Sequence, residues 1–265
     1  MWWRPWLFWT AVVAILTYMT IPAVVVLATS FSPSATLEFP PSGFSLRWYE
    51  KAALYPDFRV ALHNGLIVTA FASTLALVVG SAVAFLISRY RFTGRSALEA
   101  VLSSPLIIPH FTTGFGFLLL GAQLGLTQSY AIVVAAHVLL VLPFVTRTVH
   151  VSLQNVDPNL ERSAANLGAS PVKVLTRITL PLMLPGMAGG WLIAAILSLT
   201  EFTASLYVTA SRTQTLPVAM YTYIREYTDP TIAAVSALLI LATTGIMLIA
   251  NQLLGLRRVL SIDAH

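Results

Sequence analysis

The chain of 265 residues contains no cysteine, which excludes disulfides, thiol catalysis and thiolate metal sites. It is also poor in charge. Only 9% of its residues are Asp, Glu, Lys or Arg while 57% are hydrophobic, and soluble domains carry roughly 25% charged residues. Such a chain could not cover its surface in water, and its mean hydropathy of +0.80 points to one membrane domain over residues 1–265. Lysine is scarcer still. Lys51 and Lys173 are the only two, and neither follows a glycine, so no P-loop for ATP can form. H-E-x-x-H, G-x-S-x-G and carboxylates at metal-ligand spacing are absent as well. No catalytic residue, metal ligand or cofactor is therefore expected in this chain. The formal net charge of +5 would suggest nucleic acid in a soluble chain. With so few charges, membrane topology explains it better, and no nucleic-acid partner is expected.

What is present is a series of six apolar runs, at about 6–29, 60–87, 98–120, 130–145, 187–208 and 231–254. Each is near the ~20 residues that a helix needs to cross a bilayer. The expected fold class is an all-α membrane protein with six transmembrane helices. Trp2, Trp3, Trp6 and Trp9 crowd the first run as an interfacial belt. That run exceeds the roughly 7–15 apolar residues of a signal peptide, so it reads as an uncleaved anchor. Residues 31–58 form a polar loop with Pro33, Pro40, Pro41 and Pro56, and its Trp48, Tyr49 and Tyr55 suit the membrane surface. Pro105 and Pro109 interrupt the third run, which implies a kink toward protein or a water-filled cavity. Gly186, Gly190 and Ala194, four apart, suggest close helix packing. Placing both termini in the cytoplasm assigns ten Lys and Arg residues to inner segments and five to outer loops, as the positive-inside bias requires.

The interval 147–185, between the fourth and fifth runs, falls inside on this topology and has a grammar of its own. Asp157-Pro158 reads as an N-cap followed by proline at the first helical position. Leu160, Ala164 and Leu167 share one helical face, and Gly168 supplies a stop. Ser170-Pro171 repeats the start signal. Val174, Leu175 and Ile178 give the second helix an apolar side, and Pro181 and Pro185 mark where it bends or ends.

In this interval Ala164, Gly168, Ile178 after nine residues, and Leu180-Pro181 resemble the EAA loop of ABC importer permeases. Arg162 stands where that pattern has glutamate, Ser163 replaces its first alanine, and Glu161 lies one residue early. The resemblance extends over about 31–254, through HNGLIVTAFASTLALVVGSAVAFLISRYRFTGR and SSPLIIPHFTTGFGFLLL, to the spermidine/putrescine-type permease family. It implies a type I importer permease in a bacterial inner membrane, with a second permease subunit, two ATP-binding subunits that hold ATP and magnesium, and an extracytoplasmic solute-binding protein. It also implies that Glu161, Arg162, Ala164, Ala165, Gly168, Ala169, Ser170, Pro171, Ile178, Leu180 and Pro181 form the loop that couples the lipid-embedded part to the ATPase. Related subclasses carry spermidine or putrescine, opines, aminoalkylphosphonates or ferric iron. A small amine-bearing or cationic solute such as a polyamine is the expected substrate.

One acid is placed deep within the apolar runs, away from their ends. Glu201 lies near the middle of the fifth, with Ser198 and Ser205 three and four residues away on the same helical face. A charge there costs about 2.5–3.5 kcal/mol on insertion scales, so it should face the bundle interior or an aqueous path. With Ser198, Ser205 and Asn64 it is a candidate lining of a solute pathway. The alternatives are a structural carboxyl that orients the bundle, or the cation or proton site of a secondary carrier. His137, deep in the fourth run, is read as a helix–helix hydrogen bond.

Overall fold

A computed structural model describes residues 5–254 of the chain. Trp2, Trp3 and Arg4, and Arg257 and Arg258, on which part of the belt and the orientation rest, lie outside the described residues. Within them the secondary structure is helical throughout. α1 runs over Pro5–Thr29, α2 over Arg47–Leu54, α3 over Pro56–Arg89, α4 over Arg95–Ser103 and α5 over His110–Leu124. α6 covers Tyr130–Gln154, α7 Pro158–Asn166, α8 Pro171–Val174 and α9 Leu180–Leu199, followed by α10 at Ser205–Val208, α11 at Leu216–Glu226 and α12 at Thr231–Leu254. Among the described residues five helices are long and apolar enough to cross a membrane, or six where the bent pair is counted as one span.

The chain divides into two compact units, residues up to 59 with 219–245, and 60–218 with those from 246. In the first, α1 presents apolar side chains that are not buried by protein, as a lipid-facing helix requires. The loop after it is tied to α2 by Trp48 Nε1 donating to the Ser32 carbonyl at 2.8 Å and by Ser30 and Tyr49 hydroxyls 2.6 Å apart. Lys51 pairs with Asp229, which also accepts from the Tyr223 hydroxyl and the Thr231 amide. The Lys51 ammonium lies within 6 Å of the ring centres of Trp48, Tyr223 and Tyr227 at 5.6, 5.9 and 5.7 Å. Its hydrogen bond to Asp229 raises the Lys51 pKa. Burial works to raise the Asp229 carboxyl, but hydrogen bonds from Lys51, Thr231 and Tyr223 outweigh it and hold the group below its ordinary value.

The second unit is built around α6. Val133, Ala136, Val141, Val145, Val149 and Leu153 are buried along it. Two neighbours approach it through glycine. A Cβ on Gly186 of α9 would stand 2.3 Å from Ser152 Cβ, and one on Gly80 of α3 would stand 3.0 Å from Val145. Interfaces of small residues are how helices associate where lipid supplies no hydrophobic driving force.

Three expected spans have other bounds. α6 continues through 146–154, so the interval expected to start at 147 begins only after Gln154. The third span is two helices meeting at 101°, with Pro105 in a 3₁₀ turn and Pro109 as the N-cap of α5. Prolines deprive the preceding turn of donors, and here the chain breaks rather than kinks. The fifth helix starts earlier and ends earlier than 187–208. Residues 171–199 form one helix through a π-helical turn at Leu175–Thr179. Pro181 therefore does not end it.

Candidate functional site

The segment 157–179 is a hairpin in which the short α7 turns back into the start of the helix 171–199. Asp157 accepts from the Asn159 amide at 2.9 Å, and Pro158 occupies the first helical position of α7. At its other end Gly168 has φ +85°, a left-handed conformation that costs other residues about 1–2 kcal/mol. The Ala169 amide donates to the Ala164 carbonyl at 3.0 Å and the Gly168 amide to Ala165 at 2.9 Å, the paired bonds that close a helix end. Ala164, Ala165 and Ala169 thus enter through their backbone. Ser170 precedes Pro171 at the start of α8, but its hydroxyl caps nothing. Leu160 and Leu167 of the predicted apolar face are 49% and 88% exposed while Ala164 is half-buried, and Val172 beside them is 69% exposed.

Glu161 holds this hairpin to the body. Its Oε1 accepts from Arg89 Nε and Nη2 at 3.2 and 2.9 Å and from Thr179 Oγ1 at 2.9 Å. One oxygen thereby joins the end of α3, α7 and the π turn. Beside it lies a cavity of about 560 Å³ lined by Phe85, Tyr90, Ala165 and Leu175. Arg162, the next residue, is exposed. Ile178 is half-buried, whereas Leu180 and Pro181 are exposed.

A second polar group lies in the interior. α9 stops at Leu199, and Glu201 sits in the break before α10 rather than in mid-helix. The reason is chemical. A carboxylate has no donor of its own and, away from water, must find several. Ending the helix frees the Ala204 and Ser205 amides, which donate to Glu201 Oε1 and Oε2 at 2.9 Å each, and Ser205 Oγ adds a bond of 3.0 Å to Oε2. His137, fully buried, meets Ser198 Oγ through Nδ1 at 2.8 Å and Ser205 Oγ through Nε2 at 2.9 Å. Ser205 converges with Glu201 directly and Ser198 through this imidazole, not along a helical stripe. On its other side Glu201 Oε1 is 3.4 Å from Nδ1 of the half-exposed His110, the first residue of α5. α5 passes close by. A Cβ on Gly114 would stand 2.7 Å from Ala204 Cα.

Asn64 belongs to a separate network. It donates to the Arg212 and Gln214 carbonyls at 3.1 Å each and accepts from Tyr130 at 2.6 Å. Sequence reasoning missed Arg89, Thr179 and His110. Arg89 is 72 residues from its partner, and no local pattern marks such a pair. Among the described residues no group of three or more His, Asp or Glu is placed to hold a metal.

The order of helices, the broken pair and the exposed hairpin define a type I ABC importer permease fold. A chain of a bacterial alginate ABC transporter, solved in complex with an alginate pentasaccharide-bound periplasmic protein, superposes with a TM-score of 0.72 over 94% of both chains at 17% identity. The chain belongs to the family of inner membrane components of binding-protein-dependent transport systems, whose pattern matches residues 62–257. It is 29% identical to the spermidine/putrescine transport system permease protein PotC of Escherichia coli K12 over 242 residues, 91% of each protein. It is 30% identical to the putrescine transport system permease protein PotI of the same strain over 248 residues, 90% of this chain and 88% of that one. The chain is a membrane-spanning transport subunit of an ABC importer, and the secondary-carrier alternative is left without support.

Proposed function

We propose that this permease imports a small amine-bearing or cationic solute of the polyamine class. The observation that carries the substrate class is similarity over nine-tenths of the chain to permeases named for spermidine and putrescine. The subunit works with a second permease, two ATP-binding subunits that supply the ATP and magnesium site, and an extracytoplasmic solute-binding protein. Both termini lie in the cytoplasm. The hairpin from Glu161 to Pro171, with Ile178, Leu180 and Pro181 behind it, is the coupling loop. ATP closes the ATPase pair, the hairpin moves with it, and Glu161 passes the displacement to α3 and to the root of α9. Glu201 is the pathway group, its His110 side turned to the solute. Ser198 and Ser205 hold it from behind, and Asn64 fixes the 212–214 segment.

The test is reconstitution of this chain with its genomically linked partners in liposomes. ATP-driven uptake of labelled spermidine or putrescine, dependent on the binding protein, is the expected result. ATP-driven uptake of some other solute class would overturn the substrate and keep the permease. Uptake that needs no ATPase would overturn both.

A further inference from the structure

The charges of the hairpin differ in their pairing. Glu161 is turned inward, its Oε1 taking three donors from Arg89 and Thr179. Asp157 spends an oxygen on the Asn159 amide. Outward stand Arg162, Lys173 and Arg177, all exposed and without an ion-pair partner among the described residues. The same segment carries the exposed Leu160, Leu167 and Val172. A merely solvated loop gains nothing from an apolar tip at 88% exposure. A hairpin fixed in shape by a closed helix end and a three-way carboxylate tie suits a shaped groove.

Resting on the coupling reading above, we infer that the groove receiving this hairpin on the ATP-hydrolysing partner is apolar at its floor and carries carboxylates at its rim, placed to meet Arg162, Lys173 and Arg177. Complementary charge fixes the register of docking and rejects partners whose rim is basic. Anionic lipid would attract the same cations, but lipid-surface segments gather about 4–8 of them. This hairpin offers three on a fixed scaffold.

The scarcity of lysine makes the inference testable. A zero-length carbodiimide joins an amine to a carboxylate in direct contact, and Lys173 is the only lysine besides Lys51, which is engaged with Asp229. The assembled transporter in nanodiscs is treated with carbodiimide and, in parallel, with a spacer reagent that joins lysine to lysine. The linked peptides are mapped by mass spectrometry. The expected result is a bond from Lys173 to an Asp or Glu of the ATPase, declining as salt is raised, and a second bond in an Arg162→Lys variant. Spacer links without any carbodiimide link, in wild type and in Arg162→Lys, would overturn the carboxylate rim and leave coupling intact. Absence of both would overturn the coupling reading as well. If acylation of Lys173 is slowed by phosphatidylglycerol vesicles and not by the ATPase, the hairpin faces lipid and the inference fails.

Discussion

The exposed hairpin and the buried Glu201 group use the same polar chemistry to opposite ends. Around Glu201 nearly every donor and acceptor is matched inside the protein, and His137 has both nitrogens occupied. On the hairpin, one carboxylate is matched and three cations are left for something else. The difference follows from surroundings. In an apolar interior an unmatched polar group costs several kcal/mol, so the chain bends its helices to supply partners. At an aqueous surface water satisfies the same groups, and their arrangement is free to serve a partner. The first region holds the fold, and the second presents a surface.

Substitutions can break or sharpen this contrast. The largest effect is expected from Gly114→Val, where even a Cβ would stand 2.7 Å from Ala204 Cα and 2.8 Å from its carbonyl oxygen. Backbone cannot yield cheaply, so the cost is about 3 kcal/mol or more. Thermal melting of the purified protein measures it, and a wild-type midpoint would show that the two broken spans do not depend on each other. His137→Leu leaves the Ser198 and Ser205 hydroxyls without their partner and is expected to cost about 1–3 kcal/mol in the same measurement. An unchanged midpoint would remove the imidazole from the account of the interior.

Gly168→Glu should do the reverse. Nothing lies within 4 Å of a Cβ there, so insertion and melting stay near wild type while the strained turn misplaces α8. ATP-driven uptake is expected to fall about tenfold, and Gly168→Asn to retain most of it, since Asn tolerates this conformation. Full uptake in Gly168→Glu would defeat the coupling assignment. Glu201→Gln tests the buried group at its centre. It puts an amide donor against a backbone N–H and is expected to lower the melting free energy by roughly 1 kcal/mol, with a severalfold fall in uptake of a cationic solute. Lower stability with full uptake would leave the carboxylate a structural role alone.

The smallest effect is expected at Lys51 and Asp229, where Lys51 is 44% exposed. After solvent screening the pair is worth about 0.5 kcal/mol. The Asp229 pKa is lowered, so its contribution is present above the ordinary value of 3.8 and is lost as pH falls through the lower, folded value. The Lys51 pKa is raised, so its share is present below 10.5 and is lost as pH rises through its higher, folded value. Lys51→Met should lower the centre of the stability profile by about 0.5 kcal/mol and leave both extremes as they are, so that its edges flatten. A profile identical to wild type would show that the pair contributes nothing.

Much of the fold was legible because a bilayer writes itself into composition. Pro158, Gly168 and Asp157 also announced the hairpin, since turns and caps are decided by a few adjacent residues. Glu201 was read differently. Ser198 and Ser205 at helical spacing suggested a continuous helix, whereas the need of a buried carboxylate for amide donors ended it. Pro181 misled in the opposite direction, because the helix runs on past it.

The sequence by itself determined the membrane environment, the number and approximate place of the apolar helices and the ends of the hairpin. Each depends on local composition or on neighbours within a few residues. Only the tertiary structure decided that Arg89 holds Glu161, that His137 joins Ser198 to Ser205, and that His110 meets Glu201. Those pairings join elements dozens of residues apart, and they arise from the packing of helices whose sequences carry no record of one another.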